Sequence, residues 1–373
     1  MNLPASSRQY FPALTGLRAV AAFLVFAHHA KPQVPFASDF FQAFFQEAHM
    51  GVSVFFVLSG FLIALRYSQS FQEREQGAWR VYLLHRVARI YPVYLFCTVI
   101  ALLFRHDVRV SSWIINLLML EGLFPEFAFS GIGVGWSMTV ELFFYAAAPL
   151  VLMYWEKLGL IRWTLITLLA GVIFLMIGQL PLPFEFFPDW NFLTRSTFFG
   201  RCFEFYAGIW LAKRFFLASS APLTTRKVPL GMVTYGGVVG ILACMFCMGY
   251  VRGFPPTPLS FARLLTFHGV NNYVLPLFIG ATIWGLAREK TWLSQVLSTR
   301  ISQDLGKGSY LFYLVHYTFG FDILYFHVWP NRGGVLLLLA VLSIAGYYGL
   351  EAPLRKMALK RRSLPLLRET KIT

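Results

Sequence analysis

Hydrophobic stretches of about twenty residues, parted by short polar and basic segments, run along nearly the whole chain. They fall near 12–30, 50–67, 90–105, 137–155, 162–180, 198–212, 229–250, 272–287, 309–328 and 334–351. A hydrocarbon core of about 30 Å takes about twenty helical residues to cross. The pattern therefore predicts an all-α, polytopic membrane bundle of about ten transmembrane helices. An apolar piece at 112–120 is too brief to span and predicts a re-entrant or interfacial segment. Composition agrees: 57% of the 373 residues are hydrophobic, 13% are charged and the mean hydropathy is +0.60, outside the range of soluble domains.

The basic residues orient the bundle. With the N-terminus in the cytoplasm, 23 Lys and Arg fall on inside segments and eight on outside segments, with Arg18 inside the first span. That bias predicts both termini in the cytoplasm. The net charge of +15 then belongs mostly to loops facing anionic membrane lipids, and implies no nucleic acid. Residues 1–353 are expected to form the transmembrane domain, and 354–373 a basic cytoplasmic tail. No small-residue cleavage site follows the first span, which therefore reads as a retained helix rather than a signal peptide. Cys97, Cys202, Cys244 and Cys247 all lie in predicted spans, where packing is the default and neither a disulfide nor a metal is expected. Nucleophile-elbow, Walker and dinucleotide-loop motifs do not occur, so serine-hydrolase chemistry and ATP-driven transport lose their usual support.

One pair of residues points to chemistry inside the bundle. Arg18 and His29 are eleven residues apart in the first span, about three turns and about 16 Å of rise, so both project from one helix face. Ionisable groups at membrane depth are costly unless they are paired or line a cavity. Further motifs follow in order. Leu14-Thr15-Gly16-Leu17-Arg18 leads to His29, and Gly51-Val52-Ser53-Val54-Phe55-Phe56-Val57-Leu58-Ser59-Gly60-Phe61-Leu62 comes next. Then come Arg86-Val87-Ala88-Arg89-Ile90-Tyr91-Pro92, Trp136-Ser137-Met138-Thr139-Val140-Glu141, the segment Leu305 to His316, and Glu351-Ala352-Pro353-Leu354-Arg355. Together these resemble the acyltransferase family 3 membrane proteins over essentially the whole chain. The resemblance implies transfer of an acyl group, commonly acetyl, from a cytoplasmic thioester donor to a carbohydrate hydroxyl at the membrane. The family often places an acidic or other polar residue where Ser53 stands.

The residues support roles beside that resemblance. A neutral imidazole at His29 is suited to remove a proton from a sugar hydroxyl, whereas His28 points about 100° away and reads as structural. Glu141 either orients His29 or contacts the acceptor; the alternative is a structural link to Arg201 or Trp136. Trp136 and Ser137 enter with that motif, although an indole also suits the membrane interface. Arg86 and Arg89, one turn apart at the predicted cytoplasmic mouth of the third span, are suited to grip the phosphates of coenzyme A; plain positive-inside anchoring is the alternative. Arg18, between that mouth and His29, is placed to steady either a phosphate or the charge developing on the thioester carbonyl. Arg201 and Glu204 are three apart on one face and are candidates for substrate contact or for pairing with each other. His316 is either a site residue or a packed histidine with one hydrogen bond. His49 lies at a span end and receives no role.

The sequence thus reads as an inner-membrane O-acyltransferase, the coenzyme held at the inner mouth of a through-membrane path. Its donor substrate is acyl-CoA, most simply acetyl-CoA, with no permanently bound cofactor. Its acceptor is a lipid-linked or nascent glycan, and an extracytoplasmic partner protein is a further expectation. Direct and relayed transfer both stay open, and a transporter of an acylated metabolite or sugar is the alternative function.

Overall fold

The computed structural model describes residues 10–30, 44–220, 231–253 and 260–366, and among these there is no β-strand. Helices α1 (Pro12–Ala30), α2 (Gly51–Gln72), α3 (Ala78–Phe104), α4 (Val110–Leu117) and α5 (Gly135–Met153) come first. They are followed by α6 (Trp155–Gly178), α7 (Trp190–Ser196), α8 (Phe198–Ser220), α9 (Met232–Arg252) and α10 (Phe261–Gly269). The C-terminal third holds α11 (Leu275–Arg288), α12 (Trp292–Leu297), α13 (Arg300–Val315), α14 (Phe319–Ile323), α15 (Arg332–Gly346) and α16 (Ala352–Leu366). Basic residues counted above at Arg8, Lys31, Arg226, Lys227, Arg368 and Lys371 lie outside the described residues.

Among the described residues, eight helices are long and apolar enough to cross a membrane, which makes this a multi-pass membrane protein. The other two expected positions are also helical. Helix α8 carries Arg201, Glu204, Lys213 and Arg214, too many charges to register as an apolar span. The predicted 309–328 span is broken by a turn at 316–318 between α13 and α14. The short piece at 112–120 forms α4, eight residues long, as expected of a segment that does not span. One boundary differs in a way that matters below. Helix α3 begins at Ala78, twelve residues before the predicted start at 90, because Arg80, His85, Arg86 and Arg89 depress the hydropathy of its first three turns. At the other end of the chain, the backbone stays helical through Leu366, so no break marks the expected tail boundary at 353.

The chain forms two compact units, one from the described residues of Met1–Gln69, Tyr154–Ala170 and Phe199–Lys307, the other from those of Ser70–Met153, Gly171–Phe198 and Gly308–Thr373. In the first unit, glycines bring helices together backbone to backbone. A Cβ on Gly51 would lie 2.2 Å from the Ala21 carbonyl oxygen, and one on Gly16 2.2 Å from that of Leu297. The crossing of α2 and α8 is equally close: Cβ atoms on Gly60 and Gly208 would lie 2.0 Å from Phe205 O and 2.1 Å from Val57 O. Small residues let membrane helices pack in this way. Gly208→Leu should therefore strip most of the folded protein from detergent extracts, since backbone atoms cannot yield as flexible side chains do. Gly236→Leu, with no atom within 4 Å of its Cβ, should be tolerated; size-exclusion profiles of the two variants test the contrast.

In the second unit, α3 packs against α4, α5 and α16. The hydroxyl of Tyr310 on α13 donates to the Ile90 carbonyl on α3 at 2.9 Å, two residues before Pro92, which interrupts the helix ladder. Phe143 and Phe144 of α5 close on Phe198 with ring centroids 5.9 and 5.6 Å apart.

Candidate functional site

In the first unit, α1 is one continuous helix, so Arg18 and His29 do share a face. Both are half-buried. The rings of His28 and His29 meet edge to face at 5.0 Å, and His28 reaches His49 at 5.4 Å. Behind His49 stands a buried acid: Glu47 is wholly shielded from solvent, its carboxylate 3.6 Å from His49 Nδ1 and 2.9 Å from Arg252 Nε. The Arg252 guanidinium also covers the Phe267 ring at 4.7 Å. His28 thus lies against both His29 and His49, and His49, Glu47 and Arg252 form surroundings that sequence spacing could not reveal.

Arg201 and Glu204 pair with each other, as their spacing on α8 allows: Arg201 Nε donates to Glu204 Oε2 at 2.8 Å, and both side chains are almost fully buried. Arg201 Nη2 also donates to the Ser53 hydroxyl at 3.1 Å, and its guanidinium covers the Phe56 ring at 5.6 Å. Ser53 thus supplies a neutral acceptor to Arg201, and the carboxylate comes from Glu204. Nearby, a π-helical segment, Val270–Val274, precedes α11; within it Asn272 Nδ2 donates to the Gly200 carbonyl at 3.2 Å, one residue before Arg201. Such single-turn insertions in helices recur at functional sites.

In the second unit, Arg86 is buried on α3, its guanidinium 5.6 Å from the Tyr145 ring and 5.9 Å from that of Tyr82. The Tyr145 hydroxyl donates to Glu141. Arg89, three residues on, is half-buried. The sequence reading separates the arginines, at the mouth of the third span, from Glu141 in the opposite half of the bilayer; in the structure Arg86 and Arg89 lie two to three turns beyond the start of α3 at Ala78. Arg86 then joins Glu141 in one cluster through Tyr145.

Ser137 donates to the Val134 carbonyl at 2.8 Å and meets the Tyr313 hydroxyl at 2.8 Å. Trp136, beside it on α5, is half-buried. His316 is buried, and its ring lies parallel to that of Phe312 at 5.9 Å. Its Nδ1 lies 2.7 Å from the Tyr313 carbonyl; a carbonyl only accepts, so the proton sits on Nδ1 and a neutral ring keeps Nε2 as its acceptor.

Glu121, which sequence reasoning passed over, is fully buried in the 3-10 turn Glu121–Leu123 that packs on α5. The Tyr94 hydroxyl donates to its Oε1 at 2.9 Å. A Cβ on Gly135, the first residue of α5, would lie 2.6 Å from that oxygen, so the carboxyl abuts the start of the helix that carries Trp136, Ser137 and Glu141. Burial pushes the Glu121 carboxyl up from 4.5 to about 8, against the opposing pull of a backbone hydrogen bond and of the one from Tyr94. Because the folded value is the higher one, the fold favours the protonated acid, and that advantage fades as pH rises from about 4.5 toward 8. Glu121→Gln should therefore match the wild type in thermal unfolding near pH 5 and exceed it near pH 9. A wild-type midpoint as pH-independent as that of the variant would contradict this.

Residues 11–350 match the acyltransferase domain model Acyl_transf_3. The chain is 28% identical to the acyltransferase MdmB of Streptomyces mycarofaciens over 372 residues, covering 90% of this chain and 87% of that protein. It is 22% identical over 389 residues to a Staphylococcus aureus (strain COL) protein carrying an O-acetyltransferase name, covering 94% of this chain and 58% of that one. It is also 24% identical over 334 residues to the peptidoglycan O-acetyltransferase OatA of Listeria monocytogenes, covering 83% of this chain and 49% of that protein. No solved structure matches the chain.

Proposed function

We propose, from the premise that this chain belongs to acyltransferase family 3, that it moves an acetyl group from cytoplasmic acetyl-CoA to a hydroxyl of an envelope or secreted glycan. Its membership and its spans make it a multi-pass membrane acyltransferase. The names of its relatives in Staphylococcus and Listeria support acetyl as the group and a surface polymer as the acceptor, and a bacterial inner membrane is the compartment where such a donor and acceptor are both in reach. The observation that carries the reading is the alignment of Arg18 and His29 on one face of the continuous helix α1.

In direct transfer, neutral His29 takes the proton of the acceptor hydroxyl as its oxygen attacks the thioester carbonyl. Arg18 opposes the negative charge that develops on the carbonyl oxygen. The C–S bond breaks, and the departing thiolate takes its proton from the imidazolium. Arg89 is assigned to the phosphates of the donor. Arg86, buried against Tyr82 and Tyr145, holds the Tyr145–Glu141 pair and keeps positive charge beside Arg89. Glu141, Ser137, Trp136 and His316 are assigned to the acceptor side, and the Arg201–Glu204 pair to positioning α8. Membrane lipids surround the bundle, and an extracytoplasmic partner that receives or delivers glycan is part of the proposal.

Two measurements test it. Surface glycans from cells with and without the gene should differ by a base-labile ester; unchanged ester content would favour transport of an acylated metabolite or sugar. In purified protein, Arg89→Ala should raise the KM for acetyl-CoA roughly tenfold, as loss of a charged hydrogen bond to phosphate does, with a smaller change in kcat. An unchanged donor curve would remove Arg89 from the donor site.

A further inference from the structure

The first unit holds a second feature with chemistry of its own, a cavity of about 680 Å³ between α8, the start of α9 and α11. Its wall is apolar, with Trp210 and Leu211 from α8 and Leu277, Gly280 and Trp284 from α11; a single charged side chain, Arg214, lines it. From Leu277 to Trp284 the groove follows the helix axis for about 10 Å, within the roughly 15 Å of one leaflet, half of a 30 Å core. Gly280 keeps it open: a Cβ there would meet only the Leu211 methyl groups, at 3.9 Å.

Cations gather at one end. Arg214 lies one turn beyond Trp210 on α8, its guanidinium 5.5 Å from that indole, and no acid pairs with it among the described residues. Lys213 beside it is bound to Glu156 at 3.0 Å. Arg288 lies over the Phe215 and Trp284 rings at 4.5 and 4.6 Å and donates to the Phe215 carbonyl at 3.0 Å. An apolar slot about 10 Å long, with an unneutralised guanidinium and an indole at its end, has the charge and shape to take part of one chain of an anionic lipid with its phosphate at Arg214. We propose that this groove is a binding site for an anionic phospholipid. The site goes beyond the acyl-transfer reading and does not depend on it.

Photoactivatable phosphatidylglycerol, with a diazirine in its acyl chain, tests the site on the full-length protein in nanodiscs. Labelling should concentrate in the peptides that contain Trp210 and Leu277–Trp284, and unlabelled phosphatidylglycerol should compete while phosphatidylcholine does not. Arg214→Gln, at an exposed position, should weaken competition by phosphatidylglycerol roughly fivefold, the share one cation contributes at an anionic surface. Gly280→Leu should abolish labelling in these peptides, and Gly280→Ala, which fits the space, should keep it and control for folding. Equal competition by the two phospholipids would overturn the proposal, as would labelling spread evenly onto lipid-facing α6. Stronger competition by polyprenyl phosphate would also overturn it and give the groove to a lipid-linked glycan instead. A groove silent to every lipid in a cross-linked dimer would mark it as a contact between copies.

Discussion

His29→Ala should lose at least about a hundredfold in acyl transfer while the protein accumulates in the membrane near the wild-type level. A positioned general base contributes about 10²–10⁴ to rate, and the imidazole has no substitute on the same face of α1. The helix itself should survive the change. Its close approaches are made by Gly16 against Leu297 and by Ala21 against Gly51, and alanine is the best helix former. His28→Ala is the informative companion, because the His28 ring touches both His29 and His49 yet lies off the Arg18 face. It should cost several-fold rather than a hundredfold, by loosening the orientation of His29. Transfer assays on protein normalised by in-gel fluorescence separate the cases. Equal inactivity of the two variants would overturn the facial assignment, and parallel loss of folded protein would make His29 structural.

The helices and their order were legible because a membrane span announces itself through twenty apolar residues in a row. The alignment of Arg18 and His29 was legible too, since it needs only an unbroken helix between them. Partners were not. Arg252 and Glu47 are 205 residues apart, Tyr313 and Ser137 are 176 apart, and Arg201 and Ser53 are 148 apart; periodicity reports which face a residue occupies, never which helix that face meets. The misplaced start of α3 has a related cause. Its first turns carry Arg80, Arg86 and Arg89, of which Arg86 buries against Tyr82 and Tyr145, and a hydropathy window scores them as loop. The π-helical segment at Val270–Val274 leaves no compositional trace at all, although it sets Asn272 against Gly200. Glu121 left a faint signal, a lone acid closing an apolar run, which acquires meaning only once Tyr94 and Gly135 are seen around it.

The same long-range pairing gives Glu204→Ala a large expected loss of stability. Glu204 supplies the carboxylate for Arg201, and both side chains are almost fully buried. Removing one partner of a buried pair leaves an uncompensated charge and costs about 3–5 kcal/mol, a large share of the total stability of a typical protein. Removing both should cost far less, because Arg201→Leu with Glu204→Leu strands no charge. Ser53 offers a sharper test, since its hydroxyl already accepts from Arg201 at 3.1 Å. Adding Ser53→Asp to Glu204→Ala returns a carboxylate to the same guanidinium from α2 and should restore much of the lost thermal stability in detergent. Ser53→Asp alone, with Glu204 still present, crowds two acids around one cation and should lower the midpoint. If Glu204→Ala unfolds no earlier than the wild type, or if Ser53→Asp fails to rescue it while the double leucine variant folds, Arg201 does not depend on a carboxylate. The assignment of this pair to holding α8 against α2 would then fall.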